Sequence, residues 1–261
     1  MYDFHSDSDW YFQMQERNCE EYIIPFIEEV YPLKSGFRVL EIGCGTAGVL
    51  SAFLKREGWG VGVDFDENSL RYGERKLTKY VESGQLKLLS KDIYRVDPET
   101  EFNGKFDVIV LKDVIEHIHD QEKLITWMKS FLNPGGVIFF GFPPWQMPFG
   151  GHQQMCKNKI LAHFPYLHLL PMPLYKSILS VFKEGAESLG EIKETGISIE
   201  RFEKTAKTAG YKIINTCHYF INPIYKYKFN LKVRKQSAII QSIPYLRNFF
   251  TTSVFYLLQA N

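Results

Sequence analysis

The sequence predicts an α/β fold built on a largely parallel sheet, and three observations carry that expectation. Short apolar runs alternate with helical stretches along residues 37–142; such alternation builds a parallel sheet through right-handed crossovers. The first apolar run feeds into glycines spaced Gly43-x-Gly45-x-x-Gly48, a strand, a tight turn and a helix start of the kind that cradles phosphates. The chain has 261 residues, of which 45% are apolar and 23% charged. That composition excludes a disordered or fibrous polypeptide and leaves room for one large domain.

The elements follow in order. Residues 9–30 carry apolar side chains at helical spacing (Tyr11, Met14, Tyr22, Phe26, Val30), broken near Pro25 and ended by Pro32. Residues 37–42 read as the first strand and 49–57 as the helix after the glycines. Strands at 60–64, 86–89, 106–111 and 137–142 alternate with helices at 68–81 and about 120–132, with Asn133-Pro-Gly-Gly136 as a turn. A helix over 198–209, started by Ser198, and strands at 211–220 and 254–258 extend the pattern. Two stretches fall outside it, 146–182 and 223–252, and neither holds an Asp or Glu. The expected organisation is a single domain: a helical cap at 1–35, a cofactor-binding core at 36–145, a lid or acceptor insertion at 146–197, and a remainder at 198–261 that carries the basic aromatic insertion.

Composition narrows the function. Lys+Arg 31 against Asp+Glu 30 gives a net charge of +1, so no global field favours nucleic acid. The two insertions are locally basic and the rest locally acidic. Aromatic residues reach 15%, which hints at an aromatic-lined pocket or an apolar surface. Residues 1–10 lack the basic-then-apolar order of a signal peptide. No run approaches the roughly 18–20 apolar residues of a membrane span. Four scattered cysteines (Cys19, Cys44, Cys156, Cys217) argue against a zinc or disulfide framework and fit a reducing cytoplasm.

The glycine spacing alone suits several adenosine ligands, and its neighbours discriminate. Glu41 stands two residues before the first glycine, where a carboxylate repels a diphosphate but suits a ligand bearing an ammonium and a sulfonium. Asp64 ends the second strand, where it can accept both ribose hydroxyls. Asp92 follows the third, in reach of an adenine amine. Three acids at successive strand ends face one crevice, the usual ligand position of an open α/β sheet.

At these residues the chain resembles the class I S-adenosylmethionine-dependent methyltransferases, most closely the group acting in ubiquinone and menaquinone pathways. Val39-Leu-Glu-Ile-Gly-Cys-Gly-Thr-Ala-Gly48 looks like their first motif. Gly62-Val-Asp-Phe-Asp66 looks like the second-strand acidic motif, and Lys91-Asp-Ile93 like the adenine-contacting one. Phe106-Asp-Val-Ile-Val-Leu-Lys-Asp-Val-Ile-Glu-His-Ile118 and Leu132-Asn-Pro-Gly-Gly136 resemble the later motifs. The resemblance implies a Rossmann-like, doubly wound seven-stranded sheet whose last strand is antiparallel, with S-adenosylmethionine as cofactor. It also implies a cofactor-binding set of Glu41, Gly43, Cys44, Gly45, Gly48, Asp64, Phe65, Asp92, Ile93 and Lys112: the glycines let the backbone approach the methionine part, Phe65 covers the adenine, and Lys112 contributes main chain. Ala47 and the long insertions depart from the pattern.

On the acceptor side, a hydroxyl needs a base, and His117 and His152 are the candidates. If residues 113–117 are helical, Asp113, Glu116 and His117 share a face. With His152 they could then hold a divalent cation that acidifies a coordinated hydroxyl; equally, Glu116 could bond the loop and either histidine act without metal. Residues 146–182, with Trp145, Phe149, Phe164, Tyr166 and Tyr175 as candidate walls, would cover a small or lipid-like acceptor or simply complete the core. His163 and His168 read as core or pocket wall. Residues 223–252 suggest peripheral contact with anionic lipid, a phosphorylated acceptor or nucleic acid, or a solvated basic face. The expected reaction is O-methylation. The alternatives are an NAD(P)-dependent oxidoreductase, disfavoured by Glu41, and a non-catalytic cofactor-binding or interaction protein.

Overall fold

The computed structural model describes residues 7–97, 101–102, 104–150, 153, 156–184 and 194–260. Eight strands form one sheet in the order β3-β2-β1-β4-β5-β8-β6-β7. They are β1 (Arg38–Ile42), β2 (Trp59–Asp64), β3 (Leu86–Ser90), β4 (Phe106–Lys112), β5 (Leu132–Phe142), β6 (Tyr211–Ile221), β7 (Arg234–Lys235) and β8 (Ser253–Ala260). The first five pair in parallel, and the last strand, β8, runs antiparallel between β5 and β6. The seven expected strands are therefore present. The eighth, β7, is a two-residue edge that the basic insertion lays antiparallel to β6.

Strand alternation divides the side chains into two cores. In β1, Leu40 and Ile42 join one face, and Val39 the other; in β4, Ile109 and Leu111 join the first, and Val108 and Val110 the second. The period of two therefore puts Glu41 and Lys112 on the second face. That face is covered by helices α1 (Ser8–Asn18), α2 (Ile24–Glu28) and α3 (Gly48–Leu54). The first face is covered by Gln121–Trp127 and Ile199–Thr208, the latter capped as expected by Ser198, whose side chain accepts from the N–H of Arg201.

Pro25 does not break the first helix. A π-helical turn, Cys19–Ile23, carries α1 into α2, with the N–H of Ile24 reaching back to the Cys19 carbonyl. The wider turn accommodates a proline that has no N–H to give, and Pro25 sits in the first turn of α2. A large part of the aromatic content is core. Phe26, Phe139, Phe255 and Tyr219 pack edge to face on one side of β5 and β8; Phe140, Phe142, Phe202 and Tyr256 pack on the other. Each such pair adds roughly 0.5–1.5 kcal/mol beyond area burial. The segment at 146–182 builds a satellite core of Cys156, Leu161, Leu167, Tyr175 and Leu179 around helices Lys159–His163 and Met172–Val181. All four cysteines are free and buried. Among the described residues no helix is long and apolar enough to cross a membrane.

The contact that sets the site is between α1 and α3. At Gly48 a Cβ would lie 2.6 Å from the Phe12 carbonyl oxygen and 2.9 Å from Gln15 Cβ, so only glycine lets α1 lie this close. Side chains reinforce the contact: Ser51 donates to Glu16, and Lys55 bridges Glu16 and Glu20. Gly48→Leu should force α1 outward and cost about 1–3 kcal/mol, the usual range for overpacking. Thermal unfolding should show a lowered Tm; an unchanged Tm would contradict this packing.

Candidate functional site

Two adjoining cavities open at the carboxyl ends of β1, β4 and β5. The smaller, about 110 Å³, is walled by Glu41, the 43–46 turn, Gly48, Lys112 and Asp113. The larger, about 230 Å³, lies between the 143–150 loop, residues 196–197 and the basic insertion. Tyr11, Gln15 and Asp113 line both and so form the junction. Tyr11 and Gln15 sit at i and i+4 on α1, and the Gln15 amide donates to the Tyr11 hydroxyl at 2.8 Å.

The turn after β1 shows why glycine starts it. Gly43 has φ 73, and a Cβ there would stand 2.4 Å from a Val114 methyl. The Gly45 N–H donates to Asp64 Oδ2 at 2.7 Å, and Asp64 Oδ1 accepts from the N–H of Asp66 at 2.9 Å. Asp64 is thereby pinned at the rim of the turn. Each of its oxygens keeps a second acceptor direction, enough for two hydroxyls. Ala47 carries φ 63 where the helix begins, a left-handed position.

Among the described residues, three buried polar atoms around the smaller cavity have no hydrogen-bond partner: Glu41 Oε2, Thr46 Oγ1 and Gln15 Oε1. Orphans of this kind are rare in native structures and call for an explanation. Here they converge on one space and present only acceptor-capable oxygens, which suits a ligand rich in N–H donors. Glu41 is 3% exposed. Burial pushes its carboxyl far above the ordinary carboxylate range; Lys112 pulls the other way and Asp64 adds to the rise. Lys112 is held by Asp113, whose carboxylate bonds its ammonium, so its pKa stays raised although burial opposes the charge. Its side chain, not only its main chain, lines the cavity. Cys44 is buried there, and burial raises its thiol pKa.

The outer half of the predicted set continues along the sheet edge, beyond the cavity walls. Phe65, just after β2, is 74% exposed, an open aromatic face at the position expected to cover an adenine. Asp92 is half-buried and accepts from the N–H of Tyr94 at 2.9 Å. Ile93 is turned into the core, which leaves its main chain, not its side chain, for the ligand edge.

The expected helical face of Asp113, Glu116 and His117 does not form. Asp113 takes φ 55 and gives its N–H to the Gly141 carbonyl, so only Ile115–His117 make a 3-10 turn. Asp113 meets Lys112, Glu116 is buried in the wall of the larger cavity, and His117 is exposed and lines neither cavity. Partial desolvation lowers the His117 pKa. Among the described residues no three His, Cys, Asp or Glu side chains group as metal ligands; His152 lies outside the described residues.

Among the described residues Glu116 Oε2 has no hydrogen-bond partner, and burial, with Asp113 beside it, raises its pKa far above the usual range. Thr195 anchors its turn by donating to the Glu116 carbonyl at 2.6 Å. Trp145 and Phe149 line the larger cavity as expected, and Gly196 leaves space for the Trp145 ring. Phe164, Tyr166 and Tyr175 do not line it: Phe164 is exposed, Tyr166 donates to the Phe249 carbonyl, and Tyr175 fills the satellite core. His163 is exposed, whereas His168 is buried against Trp145, with Nε2 at 2.7 Å from its carbonyl. Tyr11, Gln15, Tyr225 and Lys228 were not singled out by sequence. Sequence placed Tyr11 only among the apolar positions of the first helix.

Comparison with known proteins gives the family and the fold. A methyltransferase domain family model matches residues 13–166. The ubiquinone biosynthesis O-methyltransferase of Leptothrix cholodnii is 29% identical over 115 residues, 44% of this chain and 47% of that protein. Its Bordetella bronchiseptica counterpart is 33% identical over 120 residues, 44% and 46% of the two chains. These matches thus span about half the length of the relatives. Among solved structures, an S-adenosylmethionine-dependent methyltransferase from Clostridium acetobutylicum has a TM-score of 0.58 at 14% identity, covering 94% of this chain and 92% of its own. Magnesium protoporphyrin IX methyltransferase from Synechocystis, with bound SAH, has 0.55 at 12%, covering 95% and 84%. This chain belongs to the methyltransferase domain family and has the class I fold.

Glu41 generates a stability prediction. Its folded pKa is raised, so its ionisation opposes folding as pH climbs above the unfolded value of about 4.3. Glu41→Gln should match wild type near pH 4 and exceed it at pH 8 by about 1–3 kcal/mol in urea unfolding. A wild type at least as stable as the variant at pH 8 would contradict this.

Proposed function

We propose that this chain transfers the methyl group of S-adenosylmethionine to a hydroxyl oxygen of a small or lipid-like acceptor. The observation that carries the reading is the set of oxygens on Glu41, Thr46 and Gln15 without a partner among the described residues, around a cavity that adjoins a larger one walled in part by Trp145, Met147, Phe149 and Ile197. The donor's ammonium suits Glu41, and its ribose suits Asp64. Gly43, Cys44, Gly45 and Gly48 shape the turn beneath it, Phe65, Asp92 and Ile93 flank the adenine, and Lys112 closes the methionine end. A diphosphate has no comparable welcome beside a buried carboxyl. The relatives named as ubiquinone biosynthesis O-methyltransferases support oxygen as the nucleophile.

When bound, the donor supplies a methyl already activated on a sulfonium. The chain's part is to align the acceptor, exclude water and take one proton; orientation alone can contribute up to about 7–11 kcal/mol. Tyr11, Gln15 and Asp113 hold the junction through which acceptor and methyl must meet. In this reading the hydroxyl proton passes to a base as the O–C bond forms and the C–S bond breaks. His117 and His152 remain candidates from sequence. Glu116 joins them because its buried, basic carboxyl stands in the acceptor wall.

The segment at 223–252 supports a peripheral membrane contact. It exposes Leu231, Ile239, Ile243 and Tyr245 beside Lys232, Arg234 and Lys235, with no acid in the segment. Apolar side chains among basic ones suit an anionic lipid surface.

Calorimetry should show binding of S-adenosylhomocysteine, weakened about tenfold or more in Asp64→Ala, where hydrogen bonds to a charged group are lost. No binding to folded wild type would end the reading. Glu116→Gln should lower kcat by roughly 10²–10⁴ if it is the base while sparing donor affinity; a wild-type rate would remove it from that role. Cosedimentation should favour phosphatidylglycerol over phosphatidylcholine vesicles, and exchanging Lys232, Arg234 and Lys235 for Glu should abolish the preference. Equal recovery with both vesicles would contradict the lipid contact.

A further inference from the structure

In the proposed reaction the donor's methyl stands where the two cavities meet, and three residues line both: Tyr11, Gln15 and Asp113. Glu41 and Asp64 cannot tell the donor from its spent form. S-adenosylmethionine and S-adenosylhomocysteine carry the same ammonium for the one and the same ribose for the other. They differ in one methyl and in the positive charge on the sulfur. A group that senses this difference belongs at the junction.

The three junction residues are not equally placed to do so. The Asp113 carboxylate bonds the Lys112 ammonium. The Tyr11 hydroxyl oxygen accepts from the Gln15 amide at 2.8 Å, and burial raises its pKa, which keeps the phenol neutral. That bond engages Gln15 Nε2. Gln15 Oε1 is buried and has no hydrogen-bond partner among the described residues. An amide oxygen carries partial negative charge and two lone pairs. Beside a neutral sulfide it stays unsatisfied. Beside a sulfonium it gains from the positive charge and from the methyl C–H groups that the charge polarises.

Gln15 is also held in place. A Cβ at Gly48 would lie 2.9 Å from the Gln15 Cβ, so α3 sets how far this side chain stands from the turn. The next residue, Glu16, accepts from Ser51 on α3. Earlier on α1, Asp9 accepts from Tyr72 and Lys76 of helix Glu67–Lys76. α1 is therefore tied down on both sides of Gln15, which presents the junction with a fixed amide.

We propose that Gln15 Oε1 senses the donor's charge: it meets the sulfonium and its methyl, so that the site distinguishes the charged donor from the neutral product. The inference rests on the methyltransferase reading and deepens it. When the C–S bond breaks, its electron pair returns to sulfur and the positive charge is gone. The interaction with Gln15 goes with it, which favours exit of the product.

The test needs no acceptor. Calorimetry on the full chain compares S-adenosylmethionine, S-adenosylhomocysteine and sinefungin, in which an ammonium on carbon replaces the methylated sulfonium. Gln15→Met removes the oxygen and keeps the side chain's length. Relative to S-adenosylhomocysteine, it should weaken sinefungin about tenfold or more, the scale of a charge-assisted hydrogen bond. It should weaken S-adenosylmethionine about two- to fivefold, the scale of a C–H···O contact. Gln15→Glu keeps an oxygen there and should hold or raise both ratios. Tm, measured on each variant, reports whether the fold survives. Equal weakening of all three ligands in Gln15→Met, no change in any of them, or a fall of the ratios in Gln15→Glu overturns the proposal. A wild type that binds none of the three is a separate failure, that of the methyltransferase reading itself.

Discussion

Glu41 lies on the sheet face that α1 and α3 cover, buried at the end of β1 and next to the ammonium of Lys112. An ionised carboxyl in such a place is expensive, and burying it without a complete set of partners costs several kcal/mol. The surrounding structure keeps that cost in place. Gly48 lets α1 press on α3, α1 carries Tyr11 and Gln15 over the turn, and Asp113 holds Lys112. The result is a cavity whose polar lining is incomplete without a cationic ligand. In the proposed reading, donor recognition and the cost to the free protein are thus two consequences of one placement.

The roof is assembled from distant parts of the chain. α1 covers the junction from one side, and helix Ile224–Phe229 closes it from the other, joined by the ion pair between Lys226 and Glu21. The 143–150 loop and Gly196 complete the wall, with Trp145 seated on the glycine. In the proposed reading, the core sheet supplies the donor half of the site and the peripheral segments supply the acceptor half. Such a division lets acceptor choice change through the insertions while the donor half stays fixed.

Much of the donor half was legible in the sequence because it depends on local rules. A period of two along β1 and β4 puts Glu41 and Lys112 on one face, and the glycine spacing requires a turn between β1 and α3. Asp64 and Asp92 follow from where β2 and β3 end. The other half was legible only in part, through Trp145 and Phe149. Asp113 looks helical by neighbour spacing, yet its N–H bonds to the Gly141 carbonyl and forces a left-handed turn, which scatters the proposed ligand face. Lys228 looked like one of a run of solvated bases, since only the packing of its helix against α1 brings it inside. The aromatic content pointed to a pocket, but a large part of it fills the cores on either side of the sheet. Pairings between residues over a hundred positions apart leave little trace in local pattern, and those pairings build the acceptor wall.

The most direct test counts protons during donor-site binding. Calorimetric titration with S-adenosylhomocysteine, run in buffers of different ionisation enthalpy between about pH 5 and 8, reports the protons exchanged. A carboxyl raised by burial must lose its proton when an ammonium settles beside it, so wild type should release protons and Glu41→Gln should not. Binding with no proton release in either protein, or NADH binding as tightly as S-adenosylhomocysteine, would contradict the role given to this carboxyl.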